Sequence, residues 1–250
     1  MNKDLGDLVQ TNTDLARLCR HLEGCHRLAV DTEFERSRTF YVRPALLQIG
    51  DGDDNYLVDP LEIDDWNPLL DLLANPQVSK ILHSASEDLE VIERLGGDPP
   101  TPLFDTQIAA SLLGLGYSIS YRALVQTVCD VDLPKSQTRS NWLRRPLSTA
   151  QIEYARLDVA FLPAIYDQLR VELDSHGRSN WMAEECTRLV NRHRDNQSAD
   201  NAYLRFEHSS KLGCREFGVL RALAAWREHE ARKRDRPRGF VLRDETLLVI

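Results

Sequence analysis

Asp31 and Glu33 stand two residues apart at the end of an apolar run, Arg27 to Thr32 (RLAVDT). In an extended strand side chains alternate between faces, so both carboxylates emerge on the same side. Two carboxylates converging there repel each other unless cations sit between them. Asp88 falls in the first turn of a predicted helix, Ser86 to Leu95, directly after a predicted strand, Val78 to His83. That order lets it point at a strand end. Tyr154 and Asp158 are four apart on a third predicted element, a helix, and share one of its faces. Four carboxylates with no His or Cys partner form a hard oxygen set, suited to Mg²⁺ or Mn²⁺ rather than Zn²⁺. Two such divalent cations, roughly 3.5–4 Å apart, clamp a scissile phosphate, one generating the attacking hydroxide and the other stabilising the departing 3′-oxygen. Tyr154, whose phenol ordinarily titrates near about 10, suits orienting the water better than taking its proton. Each pair alone is commonplace and by itself reads as a solvated strand end or helix surface. Their order along the chain, each where the predicted elements need it, carries the reading.

The elements that must position these groups are legible in outline. Leu15, Leu18 and Leu22 mark a short amphipathic helix opened by Thr13 and Asp14. Arg27 to Thr32, Ala45 to Gly50 and Asn55 to Val58 read as strands, and short connections favour antiparallel pairing. A helix near Trp66 to Leu73, the strand Val78 to His83 and the helix Ser86 to Leu95 then form a crossover, which makes the sheet mixed. Gly96-Gly97-Asp98-Pro99-Pro100 is a firm break. Beyond it the pattern is mostly helical. Asp105 is read as a helix cap, and Ser120 to Val128 forms a further helix. Ser148 to Leu173 is one long helix with Ile152, Ala155, Val159, Leu162 and Tyr166 on its apolar stripe and Pro163 kinking it. Asp195 to Asp200 (DNQSAD) reads as a polar linker, and Phe217, Leu220, Leu223 and Ala224 begin another amphipathic helix.

The chain has 250 residues and a formal net charge of −8. Acidity does not exclude a nucleic-acid partner, because a metal-dependent site concentrates carboxylates and bound cations reverse the local sign. Five scattered cysteines (Cys19, Cys25, Cys129, Cys186, Cys214) contain no CxxC pair, so neither a zinc site nor a disulfide framework is expected. With no signal-like N-terminus and no long apolar run, the expectation is a soluble cytoplasmic protein, away from membranes and without an obligate protein partner.

The motifs DTEF at Asp31, HSASED ending at Asp88 and YARLD from Tyr154 resemble the three exonuclease motifs of the DEDD superfamily, tyrosine branch. Within it the chain looks most like the ribonuclease D group, through DTQIAA at Asp105 and KSQTRSNWLRRPLS from Lys135. Ser84 and Glu87 stand where polymerase proofreading exonucleases usually carry an Asn and an aromatic residue. The resemblance implies a ribonuclease H-like α/β fold, a five-stranded mixed sheet flanked by helices, over residues 1–200. It implies Asp31, Glu33, Asp88 and Asp158 as metal ligands and Tyr154 as the residue that positions the water. It also implies 3′→5′ hydrolysis of RNA to nucleoside 5′-monophosphates, with single-stranded 3′ ends of tRNA precursors as substrates. Residues 211–250 resemble the beginning of an HRDC domain, a helical nucleic-acid-binding module, of which about half is present.

Substrate contacts are less defined. Lys135, Ser136, Arg139, Arg144 and Arg145 around Trp142 read either as a phosphate track with an aromatic platform or as a solvated loop anchored by Trp142. Phe34, Phe40 or Tyr41 could wedge beside a terminal base or fill the core. His83 is placed beside the strand end, as a substrate neighbour or a structural residue, and Gln48 could hydrogen-bond near the site. The basic run Arg232 to Arg238 is a solvated surface or an RNA contact. A DNA-directed exonuclease and a catalytically silent RNA-binding module are the alternatives; the intact carboxylate set argues against the second.

Overall fold

The computed structural model describes residues 8–134, 140–206 and 212–249. Its contacts divide the chain into two compact units, residues 1–35 with 44–189, and residues 36–43 with 190–250.

The first unit is built on a five-stranded sheet of order β3-β2-β1-β4-β5. Its strands are β1 (Arg27–Glu35), β2 (Arg43–Gly50), β3 (Asn55–Val58), β4 (Ser79–Leu82) and β5 (Leu103–Asp105). β4 pairs in parallel with both β1 and β5, whereas β2 and β3 are antiparallel. The sheet is therefore mixed, as expected. β5 is the strand that sequence patterning left unlocated. Its three residues are too few to show alternation, and it exists because Lys80, Ile81 and Leu82 pair with Leu103, Phe104 and Asp105. Lys80, with no exposed surface, donates from Nζ to the carbonyls of Asn75 and Thr101, 2.7 Å each. A buried ammonium is tolerated there because two acceptors replace its water.

Helices flank the sheet: α1 (Asn12–Leu22), α2 (Asn67–Ala74), α3 (Ser86–Arg94), α4 (Thr106–Leu113), α5 (Tyr121–Cys129), α6 (Thr149–Ala160), α7 (Leu162–Ser175) and α8 (Ser179–Gln197). α1 starts where Thr11 accepts from the Asp14 N–H and buries Leu15, Leu18 and Leu22. α6 starts at a capping box between Ser148 and Gln151. The expected single helix over 148–173 is instead two, α6 and α7, parted at Phe161. Pro163, in the first turn of α7, lacks an N–H. In addition, the Tyr121 hydroxyl inserts into the helical ladder, donating to the Leu157 carbonyl (2.9 Å) and accepting from the Phe161 N–H (3.3 Å). The polar run Asp195 to Asp200 is not an open linker: it comprises the end of α8 and the start of a 3₁₀ helix, Ala199–Arg205. Its side chains are polar because that surface is solvated.

The second unit contains that 3₁₀ helix, α9 (Cys214–Arg234), α10 (Arg238–Val241) and α11 (Asp244–Val249) around Ala202, Phe206, Leu220, Ala224 and Leu247. Glu228, 1% exposed, accepts from Arg205, Arg232 and Arg238. Segment 36–43 joins this unit: Asp235 accepts from the N–H groups of Phe40 and Tyr41, and Arg232 and Arg238 lie 5.4 and 4.5 Å from the Phe40 ring centroid. Much of the basic run 232–238 is thus spent on Glu228 and Phe40. No helix among the described residues is long and apolar enough to cross a membrane.

Candidate active site

The parallel strands β1, β4 and β5 end on the same edge of the sheet, the position where open α/β sheets carry their sites. β1 continues past its apolar core residues Leu28, Ala29 and Val30 to bring out Asp31 and Glu33. α6 supplies Asp158. One carboxylate oxygen from each of these three lies within 4.8 Å of the others, and all three groups are half-buried.

Such crowding is electrostatically unfavourable without counter-charge. Burial, then the neighbouring Asp158, pushes the Asp31 carboxyl well above its ordinary range. Burial together with Asp31, Asp158 and Asp88 raises Glu33 to about 9. Burial raises Asp158 to about 7, offset in part by a hydrogen bond from Tyr154. Tyr154 is therefore in direct contact with Asp158, one helical turn along the same face.

Asp88, 7% exposed in the first turn of α3, lies outside that 4.8 Å group. Its Oδ1 accepts from the Thr32 hydroxyl at 2.6 Å. Thr32 alternates with Asp31 and Glu33 along β1 and so leaves the strand on the opposite side. Asp88 is nonetheless a close electrostatic neighbour: burial first, then Asp31, raises its carboxyl.

Other residues hold these carboxylates in place. Asp105 caps α4 by accepting from the Gln107 and Ile108 N–H groups, as its sequence context predicted. It also accepts from the N–H groups of Ser84 and Ala85, at 3.1 and 2.9 Å, in the turn that launches α3. Ser84 adopts φ 62 there, a left-handed conformation that those bonds secure. His83 lies between the Thr106 hydroxyl (2.9 Å) and the Ile119 carbonyl (3.0 Å), and burial lowers its pKa. It joins β4 to α4 and to the start of α5, where Tyr121 splits the α6–α7 junction beside Asp158. Thr32, Tyr121 and the second function of Asp105 escaped sequence reasoning. Only the capping signature at Asp105 was local enough to read.

Trp142 is 3% exposed and packs with Ala45, Leu46, Leu57, Leu147 and Ala155, its ring 6.1 Å from that of Tyr154. So enclosed, it offers no face on which a base could stack. Arg145 is a structural clamp: it donates to both Asp59 oxygens (2.6 and 2.5 Å) and to the Ala45 and Trp142 carbonyls (both 2.7 Å). Arg144 is exposed. Phe34 is half-buried and shares the Thr32 side of β1. Phe40 and Tyr41 pack within the second unit. Lys135, Ser136 and Arg139 lie outside the described residues.

The donor set is compatible with hard divalent cations. It consists of carboxylate oxygens whose mutual repulsion a cation would relieve, and it includes no soft ligand.

Residues 7–174 match the family model described as 3′-5′ exonuclease, and residues 216–250 match that of the HRDC domain. The chain is 45% identical over 239 residues to ribonuclease D of Pseudomonas paraeruginosa, covering 96% of this chain and 63% of that protein. The crystal structure of Escherichia coli RNase D, described as an exoribonuclease involved in structured RNA processing, superposes with TM-score 0.88 at 38% identity over 96% of this chain and 64% of that one. Brucella melitensis NrnC with bound Mg²⁺ is similar at TM-score 0.61 and 26% identity, over 70% of this chain and 86% of that one. The chain thus spans a little under two thirds of the ribonuclease D proteins it matches.

Proposed function

Because this chain belongs to the 3′-5′ exonuclease family, we propose that it shortens single-stranded RNA from the 3′ end, one nucleoside 5′-monophosphate at a time. The observation that carries the proposal is the convergence of Asp31, Glu33 and Asp158 within 4.8 Å at the carboxyl ends of parallel strands. Asp31, Glu33 and Asp158 would hold divalent cations, Mg²⁺ or Mn²⁺, with Asp88 as a further ligand kept in orientation by Thr32. Two such cations supply, when bound, activation of water and neutralisation of charge on the leaving oxygen. Tyr154 donates to Asp158 and would orient the attacking water beside it. Asp105, His83 and Tyr121 keep α3 and α6 at their distances from β1, so the carboxylates are pre-positioned before substrate arrives.

The likeness to ribonuclease D favours RNA, and tRNA precursors are the substrates we propose. The HRDC-like residues 216–250 would add nucleic-acid affinity. Free cysteines at all five positions suit a reducing compartment such as the cytoplasm.

A 5′-labelled single-stranded RNA incubated with the full chain and Mg²⁺ or Mn²⁺ tests this. A ladder shortening from the 3′ end, lost with chelator, is expected. Internal cuts would refute exonuclease action, and faster trimming of DNA of the same sequence would transfer the activity to DNA.

A further inference from the structure

Gln48 lies in the middle of β2 with no exposed surface. Neither its Nε2 nor its Oε1 finds a hydrogen-bond partner among the described residues. A buried carboxamide has two N–H donors and an acceptor, and leaving all of them unpaired is costly. Such a residue in a strand of otherwise apolar neighbours asks what it is for.

Its surroundings place it in the floor of the carboxylate site. Leu57, its register partner on β3, packs with Leu46, Trp142 and Ala155 beneath α6. Gly50, two residues on, has its Cα hydrogen side 3.3 Å from the Val159 carbonyl of α6 and 3.4 Å from the Ala29 Cβ, measured from an ideal Cβ position. Gln48 therefore shares the α6 side of the sheet with Leu46 and Gly50. β2 is hydrogen-bonded to β1, and with the end of β2 at Gly50 beside the start of β1 at Ala29 the two run antiparallel, so alternation sets Gln48 across from Asp31 on that same side. The carboxamide and the carboxylate are cross-strand neighbours under the helix that supplies Asp158.

We propose that Gln48 is a positioning residue for Asp31, donating from Nε2 to the Asp31 carboxylate when that group holds a cation. The bond leaves one carboxylate oxygen for the metal and fixes its direction. Partners of this kind, bonded to a ligand and not to the metal, set ligand geometry and affinity. The proposal rests on the cation-binding reading above.

Gln48→Leu and Gln48→Met remove the amide at nearly constant volume. Each is expected to fold, to melt at or above the wild-type temperature in chelator, and to bind Mn²⁺ about tenfold more weakly by calorimetry without RNA. kcat should fall by a similar factor while KM for RNA stays put. A glutamine that served packing alone would change melting and leave Mn²⁺ affinity and kcat at wild-type values; that result overturns the proposal. Should neither variant fold, the side-chain amide resonances of Gln48 in the wild-type chain decide: they are expected to move on adding Mg²⁺, and resonances that stay in place overturn it. A wild-type chain that takes up no Mn²⁺ overturns the cation reading itself and this proposal with it.

Discussion

Asp31, Glu33 and Asp158 are stable neighbours only when something offsets their charge, and that shapes what single substitutions will do. Asp158→Asn removes one of three crowded carboxylates. It should raise the melting temperature in chelator, shrink the gain on adding Mn²⁺, and lower turnover at least a hundredfold. Thermal melts with and without Mn²⁺, alongside the RNA ladder, check all three. The cluster also makes metal-free stability depend on pH. Glu33 and Asp158 titrate at about 9 and about 7 in the fold, against about 4 in an unfolded chain. Between those values the folded state binds more protons than the unfolded one, so stability falls as pH rises. The loss begins above about pH 4 and is complete once pH passes the folded values. In chelator the first unit should therefore melt at a lower temperature at about pH 9 than at about pH 6, the gap closing with saturating Mg²⁺. A chelated melting point that climbs over that interval would contradict the burial and crowding described for these groups.

At the scale of elements, two contacts decide how the pieces meet. Arg145 ties the loop before α6 to Asp59, whose side chain has no exposed surface. Arg145→Ala would strand that carboxylate and should cost about 3–5 kcal/mol in urea unfolding. If Arg145 serves the fold and not a phosphate track, KM for RNA per folded molecule will not change. Tyr121 bridges Leu157 and Phe161 at the α6–α7 break. Tyr121→Phe deletes that bridge, and a loss of about 0.5–1.5 kcal/mol is expected, with faster hydrogen exchange at the Phe161 amide as the local readout. Predicted and observed elements agree where the signal is local. β3 runs from Asn55 to Val58 as read, and α3 starts at Ser86 as read. They part where it is not: β5 exists through pairing with β4, and the α6–α7 break owes as much to a tyrosine forty residues before Phe161 as to Pro163.

For the molecule as a whole, the two units carry opposite electrostatic logic. The first gathers carboxylates; the second gathers arginines around one carboxylate. Burial alone would raise the Glu228 pKa, but hydrogen bonds and charge from Arg238, Arg205 and Arg232 outweigh it and hold it below its ordinary value. A lowered carboxylate contributes stability that is present above the unfolded pKa and is lost as pH falls through the folded one. Acid should thus weaken the second unit while relieving repulsion in the first. Glu228→Gln leaves three arginines facing a neutral amide, and a loss of about 3–5 kcal/mol is expected in the second unit. Hydrogen exchange resolved by residue would show it as lost protection across α9 with the β-sheet amides unchanged; uniform loss through both units would count against this division.

From the sequence alone one could read the order of the chemistry-bearing residues, the alternation that puts Asp31 and Glu33 on one side of a strand, and the helical spacing that joins Tyr154 to Asp158. Those features are local, set by the periods of strand and helix. Whether Trp142 faced solvent or core, whether Arg145 was spare or already paired, that segment 36–43 packs with the second unit, and that Gln48 is buried with no hydrogen-bond partner among the described residues were decided by the tertiary structure. Each depends on contacts between residues far apart in the chain, and burial and pairing at that distance leave no periodic trace in the residues themselves.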